Sequence, residues 1–277
     1  MTTASTSNVP VKDFKHEIVV DAAPEVVWRA ISEGEELRRW FPIDARVKPG
    51  VGGSIFLSWG PACEGEAPIT IWETGKHLRW EESHENGAVV IAVDFFVEAA
   101  ERGQTRLRLV QSGFGRGAKW DDMYDSISNG WKFELLSLDH YLSRHRGIDR
   151  TGKWLTVASP LPPEQAYDRL VARGALAQDA ALTDFPADGE YRFTGPDRRI
   201  YSGRVLRTIP HRSFVATVRE LDDAILRIEI ERAPASQSMP GVWLAIWGPK
   251  RDLAAPIAEQ WRTAIERSIQ ARPQQTS

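Results

Sequence analysis

The sequence contains a single cysteine, Cys63, among its 277 residues. An intrachain disulfide is therefore impossible, and the lack of disulfides fits a reducing, cytoplasmic location. The acidic neighbours Glu64 and Glu66 disfavour a thiolate, so we do not expect Cys63 to act as a nucleophile.

Long apolar runs and a strong excess of charge are also missing. No stretch approaches the ~20 apolar residues needed to cross a bilayer, so we expect no membrane span. The formal net charge of -3 argues against nucleic-acid binding, which needs clustered basic side chains. Residues 1–13 lack the apolar core of a signal peptide and are predicted to form a disordered tail.

Familiar metal and catalytic motifs do not occur. The six histidines show no ligand spacing such as His-x-x-x-His, and there is no phosphate-binding Gly-rich loop or G-x-S-x-G nucleophile elbow. We therefore expect no metal and no cofactor, and the motifs name no catalytic residue. Whether the protein is an enzyme stays open, with a non-enzymatic role favoured.

What the chain has in abundance is tryptophan, with eleven residues. So many large rings suggest an aromatic-walled interior or an interface. One tryptophan, Trp40, stands out in the segment "LRRWFP", where it and Phe41 follow two arginines. The helix before them must end there, because a residue that precedes proline is pushed out of the α region.

The chain also repeats one pattern twice. Four segments of the first half match four of the second in the same order, at an offset that falls steadily from 139 to 130. The pairs are "PEVVWRAI" with "PEQAYDRL", "GGSIFL" with "DGEYRF", "IWETGKHLRW" with "VLRTIPHRSF", and "GWKFELLSLDHYL" with "EQWRTAIERSI", which sets Trp131 on Trp261.

Each copy is predicted to contain a strand, a helix, a meander of strands and a long closing helix, which is an α+β layer. "ENG" at residues 85–87 predicts a hairpin turn. In the second copy, Leu226, Ile228 and Ile230 are predicted to face inward and the intervening charged residues outward. The closing helices carry apolar stripes that should lie against the sheets.

Asp94 interrupts the otherwise apolar strand "VVIAVDFFV". We expect it to point outward as an ordinary surface side chain; an inward position would make it a candidate acid. "GFGRG" at residues 113–117 predicts a flexible loop that leads into the closing helix.

The first copy resembles the SRPBCC (START/Bet v 1-like) superfamily, in the branch named after the activator of the Hsp90 ATPase. The segments that carry the resemblance are "DAAPEVVWRAISEGEELRRWFP", "IWETGKHLRWEE" and "SNGWKFELLSLDHYL". The resemblance implies two tandem helix-grip domains, each a curved antiparallel β-sheet wrapped around a long C-terminal helix. The domains are expected at residues 14–147 and, as a degenerate copy, 152–272.

Members of this superfamily bind hydrophobic molecules in a cavity between sheet and helix, so the resemblance implies a small hydrophobic or amphipathic ligand in the first copy. The alternatives are a cyclase- or hydrolase-like enzyme and an Hsp90 co-chaperone-type interaction protein; a homodimer is also left open. Solvation is the default expectation for Arg38 and Arg39, and the alternative is that one of them reaches an anionic head group at the mouth of the cavity. The expected ligand-binding residues are Trp40, Phe41, Trp59, Trp72, Trp80, Phe95, Met123, Trp131, Leu135 and Arg39.

Overall fold

The computed structural model of the chain describes residues 12–61, 63–84, 89–115, 117–232 and 237–270. It divides into two compact units, Met1–Gly147 and Ile148–Ser277. Each unit has one antiparallel sheet and a long closing helix, which confirms the expected α+β class with two tandem helix-grip domains. The exact domain limits stay a prediction; the first strand begins at Lys12, and residues 1–11 of the expected tail lie outside the described part.

The described residues of the first unit form seven strands and three α-helices. The strands are β1 (Lys12–Val20), β2 (Asp44–Lys48), β3 (Ser54–Ser58), β4 (Glu64–Glu73), β5 (His77–His84), β6 (Val89–Ala99) and β7 (Thr105–Phe114). The helices are α1 (Pro24–Ser32), α2 (Gly34–Arg38) and α3 (Ala118–His140). A π-helical turn, Tyr141–His145, extends α3.

The sheet of the first unit is ordered β1-β7-β6-β5-β4-β3-β2, so the first strand closes against the last. Strands β5 and β6 pair antiparallel as expected, and the turn "ENG" between them lies outside the described residues. The alternation in β6 places Ile91, Val93, Phe95 and Val97 on the face that is buried. Helix α1 begins with Pro24, whose missing N–H is harmless in the first turn.

In the second unit, the part of the chain that the structure describes forms six strands and two α-helices. The strands are β8 (Arg150–Thr156), β9 (Glu190–Thr194), β10 (Ile200–Ile209), β11 (Ser213–Val218), β12 (Ala224–Arg232) and β13 (Ser238–Trp247). The helices are α4 (Pro163–Val171) and α5 (Ala254–Gln270). None of the helices in the described residues of either unit is both long and apolar enough to span a membrane.

The second sheet repeats the connectivity of the first with one strand fewer, in the order β8-β13-β12-β11-β10-β9. The expected inward residues of β12 are all in the core. Glu229 faces away from that core, but it is only 1% exposed, which corrects the expectation of a solvated side chain. Arg212 and Arg227 neutralise it, at 3.3 Å and 3.0 Å from its carboxylate oxygens.

Candidate functional site

The candidate site lies in the first unit, between the inner face of its sheet and α3. Phe41 is its centre, because its ring is stacked on Trp40 and on Trp131 and meets the edge of Trp59, each at a centroid distance of 5.0 Å. These rings come from the segment after α2, from α3 and from the end of β3. The fold therefore joins three distant parts of the sequence in one aromatic cluster.

The cluster continues towards the middle of the sheet. Trp131 meets Phe95 of β6 edge-on at 5.7 Å, and Phe95 lies 5.6 Å from Trp80 of β5. Six of the ten expected ligand-binding residues thus form one continuous series of rings. We call this series, from Trp40 to Trp80, the aromatic layer.

Of the other expected residues, Leu135 is fully buried on α3, and Met123 is half buried about three turns closer to the start of that helix. Trp72 lies apart from the aromatic layer, because its ring meets the edge of Trp28 on α1 at 5.3 Å. The structure therefore brings together most, and not all, of the residues that the sequence singled out.

Trp40 is buried, and hydrogen bonds hold both its side chain and its backbone in place. It is 0% exposed, its indole N–H donates to the carbonyl oxygen of Ala30 at 2.8 Å, and its own carbonyl accepts from the hydroxyl of Ser137 at 2.8 Å. These bonds connect the segment after α2 to α1 and to α3. Trp40, just before Pro42, therefore connects α1 to α3.

Beyond Trp40, a polar network closes the C-terminal end of α3. Arg39 forms an ion pair with Glu36 at 2.6 Å, and the hydroxyl of Tyr141 donates to the other Glu36 oxygen at 2.6 Å and accepts from the Gly147 N–H at 2.9 Å. Burial and then the bond to Glu36 raise the pKa of Tyr141 to about 12. The guanidinium of Arg39 is thus held within the protein, and its contact with a head group stays a prediction.

A polar pair also lies within the aromatic layer, and the sequence analysis missed it. The indole N–H of Trp131 donates to the side-chain oxygen of Gln111 on β7. Gln111 follows Leu107 and Leu109 on the inner face and is 8% exposed. The signal was available, because a polar residue at the inward position of an alternating strand departs from the pattern.

Helix α3 is buried unevenly along its length. None of its described side chains from Ala118 to Ile127 is buried, whereas Trp131, Phe133 and Leu138 are. The backbone of α3 comes close to the sheet mainly at β1, while α5 of the second unit lies close to both β8 and β13. Rings of the aromatic layer lie between the second half of α3 and its sheet.

In the second unit, the tryptophan of the closing helix belongs to a chain of hydrogen bonds between side chains. Trp261, which aligns with Trp131, donates to the hydroxyl of Tyr201 at 2.9 Å, and that hydroxyl donates to Asp197 at 2.9 Å. Burial raises the pKa of Tyr201, and the negative charge of Asp197 raises it further. Small residues such as Ala258 and Ala264 let α5 approach its sheet closely.

The outer face of the first sheet carries Asp94. It points away from α3, as expected, but it is 5% exposed and not an ordinary surface side chain. The strand register places it between its neighbours on β5, so that His77 lies 2.7 Å and Arg79 3.1 Å from its two oxygens. His77 is also stacked on Phe96 at 4.1 Å. This His–Asp pair could orient a proton-transferring imidazole, but it lies on the face opposite the candidate site.

Two shallow pockets lie elsewhere. One of about 220 Å³ is lined by Tyr201 and Glu220 among others, and one of about 230 Å³ by Arg46 and Phe56 among others. Neither is lined by an expected ligand-binding residue. Within the described residues, no group of three or more His, Cys, Asp or Glu side chains is arranged to hold a metal ion.

Comparison with protein families gives one match over part of the chain. Residues 21–143 match the family described as Activator of Hsp90 ATPase homolog 1-like protein. None of the curated proteins compared with the chain matches it.

Several solved structures are similar in fold. The solution structure of the Aha1 dimer from Colwellia psychrerythraea is 22% identical over 49% of this chain and 99% of that chain, with a TM-score of 0.43. The di-domain ARO/CYC BexL from the BE-7585A biosynthetic pathway is 14% identical over 95% of this chain and 100% of its own, with a TM-score of 0.43. DynU16 of the dynemicin biosynthetic locus is 16% identical over 93% and 97%, with a TM-score of 0.41. At these identities and TM-scores the likeness carries no argument about function.

Proposed function

We propose that the first unit, which carries an AHSA1-like domain at residues 21–143, binds a small hydrophobic or amphipathic molecule between its sheet and α3. The protein does not transform this molecule. The observation that carries the proposal is the aromatic layer, whose rings lie between the inner face of the sheet and α3.

The chemistry of the aromatic layer suits such a ligand. Pockets for small molecules are lined mainly by apolar and aromatic side chains, with few polar groups that fix orientation. Here the apolar surface comes from the rings between Trp40 and Trp80, and the polar group is the Gln111–Trp131 pair. A flat or elongated apolar molecule would replace ring–ring contacts by ring–ligand contacts at little cost in buried area.

Entry is proposed at the N-terminal half of α3. Gly113 and Gly117, on either side of the loop before α3, have φ values of +97° and +99°, which other residues adopt rarely. None of the described side chains in the first ten residues of α3 is buried, and the ring contacts that would be lost on displacing them are those of Tyr124 with Phe14 and Phe114. We therefore expect this half of α3 to open and its buried second half to stay in place.

The enzyme alternative requires titratable groups that converge on the bound molecule. The Glu36 carboxylate already accepts from Tyr141 and is paired with Arg39. His77 and Asp94 lie on the opposite face of the sheet. The co-chaperone alternative requires an exposed Trp-rich patch. The large apolar side chains that are exposed among the described residues include no tryptophan; they are Val19, Ile43, Val51, Val90 and Ile148.

Native mass spectrometry of gently purified protein tests the proposal. We expect a non-covalent adduct on the wild type, lost in Trp131→Ala, which removes the ring that joins Phe41 to Phe95. Trp261→Ala is the matched control, because it removes the aligned ring of the second unit and should keep the adduct. Near-UV circular dichroism confirms that each variant is folded.

Two outcomes would contradict the proposal. The first is a wild-type protein that carries no adduct and gains no thermal stability when 2-acetylnaphthalene is added; a ligand at one hundred times its Kd should stabilise the protein by about 2.7 kcal/mol. The second is an adduct that survives Trp131→Ala and disappears in Trp261→Ala, which would place the site in the second unit.

A further inference from the structure

The orientation of the Gln111 amide follows from its partner. The indole nitrogen of Trp131 can only donate a hydrogen bond, so the group that faces it must be the amide oxygen of Gln111 and not its nitrogen. The NH2 group of Gln111 consequently points away from Trp131. It has no hydrogen-bond partner among the residues that the structure describes.

Gln111 as a whole is 8% exposed, but among the described residues its amide nitrogen is not one of the buried side-chain atoms that lack a partner. The NH2 group therefore reaches space that solvent can enter, on the inner face of the sheet. An amide that accepts from Trp131 and keeps two donor hydrogens in such a position can offer them to water or to a bound molecule.

The second unit shows what a complete network looks like at the aligned tryptophan. Trp261 donates to Tyr201, and the Tyr201 hydroxyl in turn donates to Asp197, so each of these three groups has a partner. In the first unit, the chain of hydrogen bonds that begins at Trp131 ends at Gln111. The difference points to a partner for Gln111 that the first unit takes from outside its own chain.

The position of Gln111 defines where that partner lies. On the strand register, Gln111 is opposite Phe14 of β1 on one side and Val93 of β6 on the other. Phe14 meets the edge of Tyr124, in the half-buried first half of α3. The free amide hydrogens thus lie at the same end of the unit as the proposed entry.

We propose that Gln111 is the polar anchor of the site and that its NH2 group donates a hydrogen bond to an oxygen of the ligand. The proposal rests on the proposed function, and it narrows the ligand to an apolar molecule that carries a carbonyl, carboxylate or hydroxyl oxygen at one end. That oxygen meets Gln111 near the start of α3, and the apolar part lies along the aromatic layer towards Trp80.

Equilibrium dialysis with two matched probes tests the proposal. 2-Acetylnaphthalene carries a carbonyl oxygen, and 2-isopropylnaphthalene has nearly the same shape without it. We expect the ratio of their Kd values to shift by roughly fivefold against the ketone in Gln111→Met, which corresponds to one hydrogen bond of about 1 kcal/mol. The Kd of the hydrocarbon should change by less than about twofold.

Two further variants separate the possible causes of such a shift. Gln111→Glu, measured above pH 8, keeps an acceptor for Trp131 and removes the donor, so it should lose the ketone preference as fully as the Met variant. Tyr201→Phe in the second unit should leave the ratio at its wild-type value.

A ratio that stays the same in both Gln111 variants, while the hydrocarbon still binds, overturns the role of Gln111 and leaves the proposed function standing. A ratio that falls in Gln111→Met and not in Gln111→Glu assigns the effect to a displaced Trp131 and also overturns it. If neither probe binds the wild type, the proposed function fails, and this inference fails with it.

Discussion

Substitution of Tyr141 by Phe removes one hydroxyl from the network that closes α3. That hydroxyl donates to Glu36 at 2.6 Å and accepts from the Gly147 N–H at 2.9 Å, and Tyr141 is 0% exposed. A hydrogen bond to a charged group is worth about 1.5–3 kcal/mol and a neutral one about 1 kcal/mol. We therefore expect Tyr141→Phe to lower the free energy of unfolding by about 3 kcal/mol in urea titrations at pH 8.

The effect should depend on pH in a defined direction. The pKa of Tyr141 is raised from 10.0 to about 12 by burial and by the bond to Glu36. Between these values the unfolded tyrosine ionises and the folded one stays protonated, so the unfolded state binds fewer protons and stability falls as pH rises. At about 1.4 kcal/mol per pH unit, the advantage of the wild type over Tyr141→Phe should be complete below pH 10 and about 1.4 kcal/mol smaller at pH 11.

Tyr124→Phe is the matched control, because the Tyr124 hydroxyl makes only a 3.5 Å contact with the carbonyl of Asp13. Its cost should stay below about 0.5 kcal/mol. The reasoning would be refuted if Tyr141→Phe cost no more than this control, or if the gap between wild type and Tyr141→Phe stayed constant from pH 8 to pH 11.

Two other substitutions test the outer face of the sheet and the loop before α3. Asp94→Asn removes the charge from a buried carboxylate that His77 and Arg79 contact, so urea unfolding should show a loss of about 1.5–3 kcal/mol; an equal loss in Glu98→Gln, an exposed surface carboxylate, would contradict this. Gly115→Ala would place a Cβ 2.5 Å from the indole nitrogen of Trp120, so the near-UV circular dichroism of tryptophan should change. Gly65→Ala, which has open space around it, should leave that spectrum unchanged.

The repeat and the faces of its elements followed from the sequence. Pro24 and Pro163 each begin a helix, and the alignment set Trp131 on Trp261, both of which are buried on the closing helices. These features were predictable because helix starts and buried faces depend on residues within a few positions of one another.

The candidate site depended on pairings that no local pattern contains. Tyr141 meets Glu36 across 105 positions of the chain, and Gln111 meets Trp131 only because α3 folds back over β7. Asp94 pointed outward as expected, and its burial by two β5 neighbours required the register of β5 against β6. The sequence determined which residues face inward; only the tertiary structure decided which of them meet, because the free energy of a buried polar group depends on the partner that the fold brings to it.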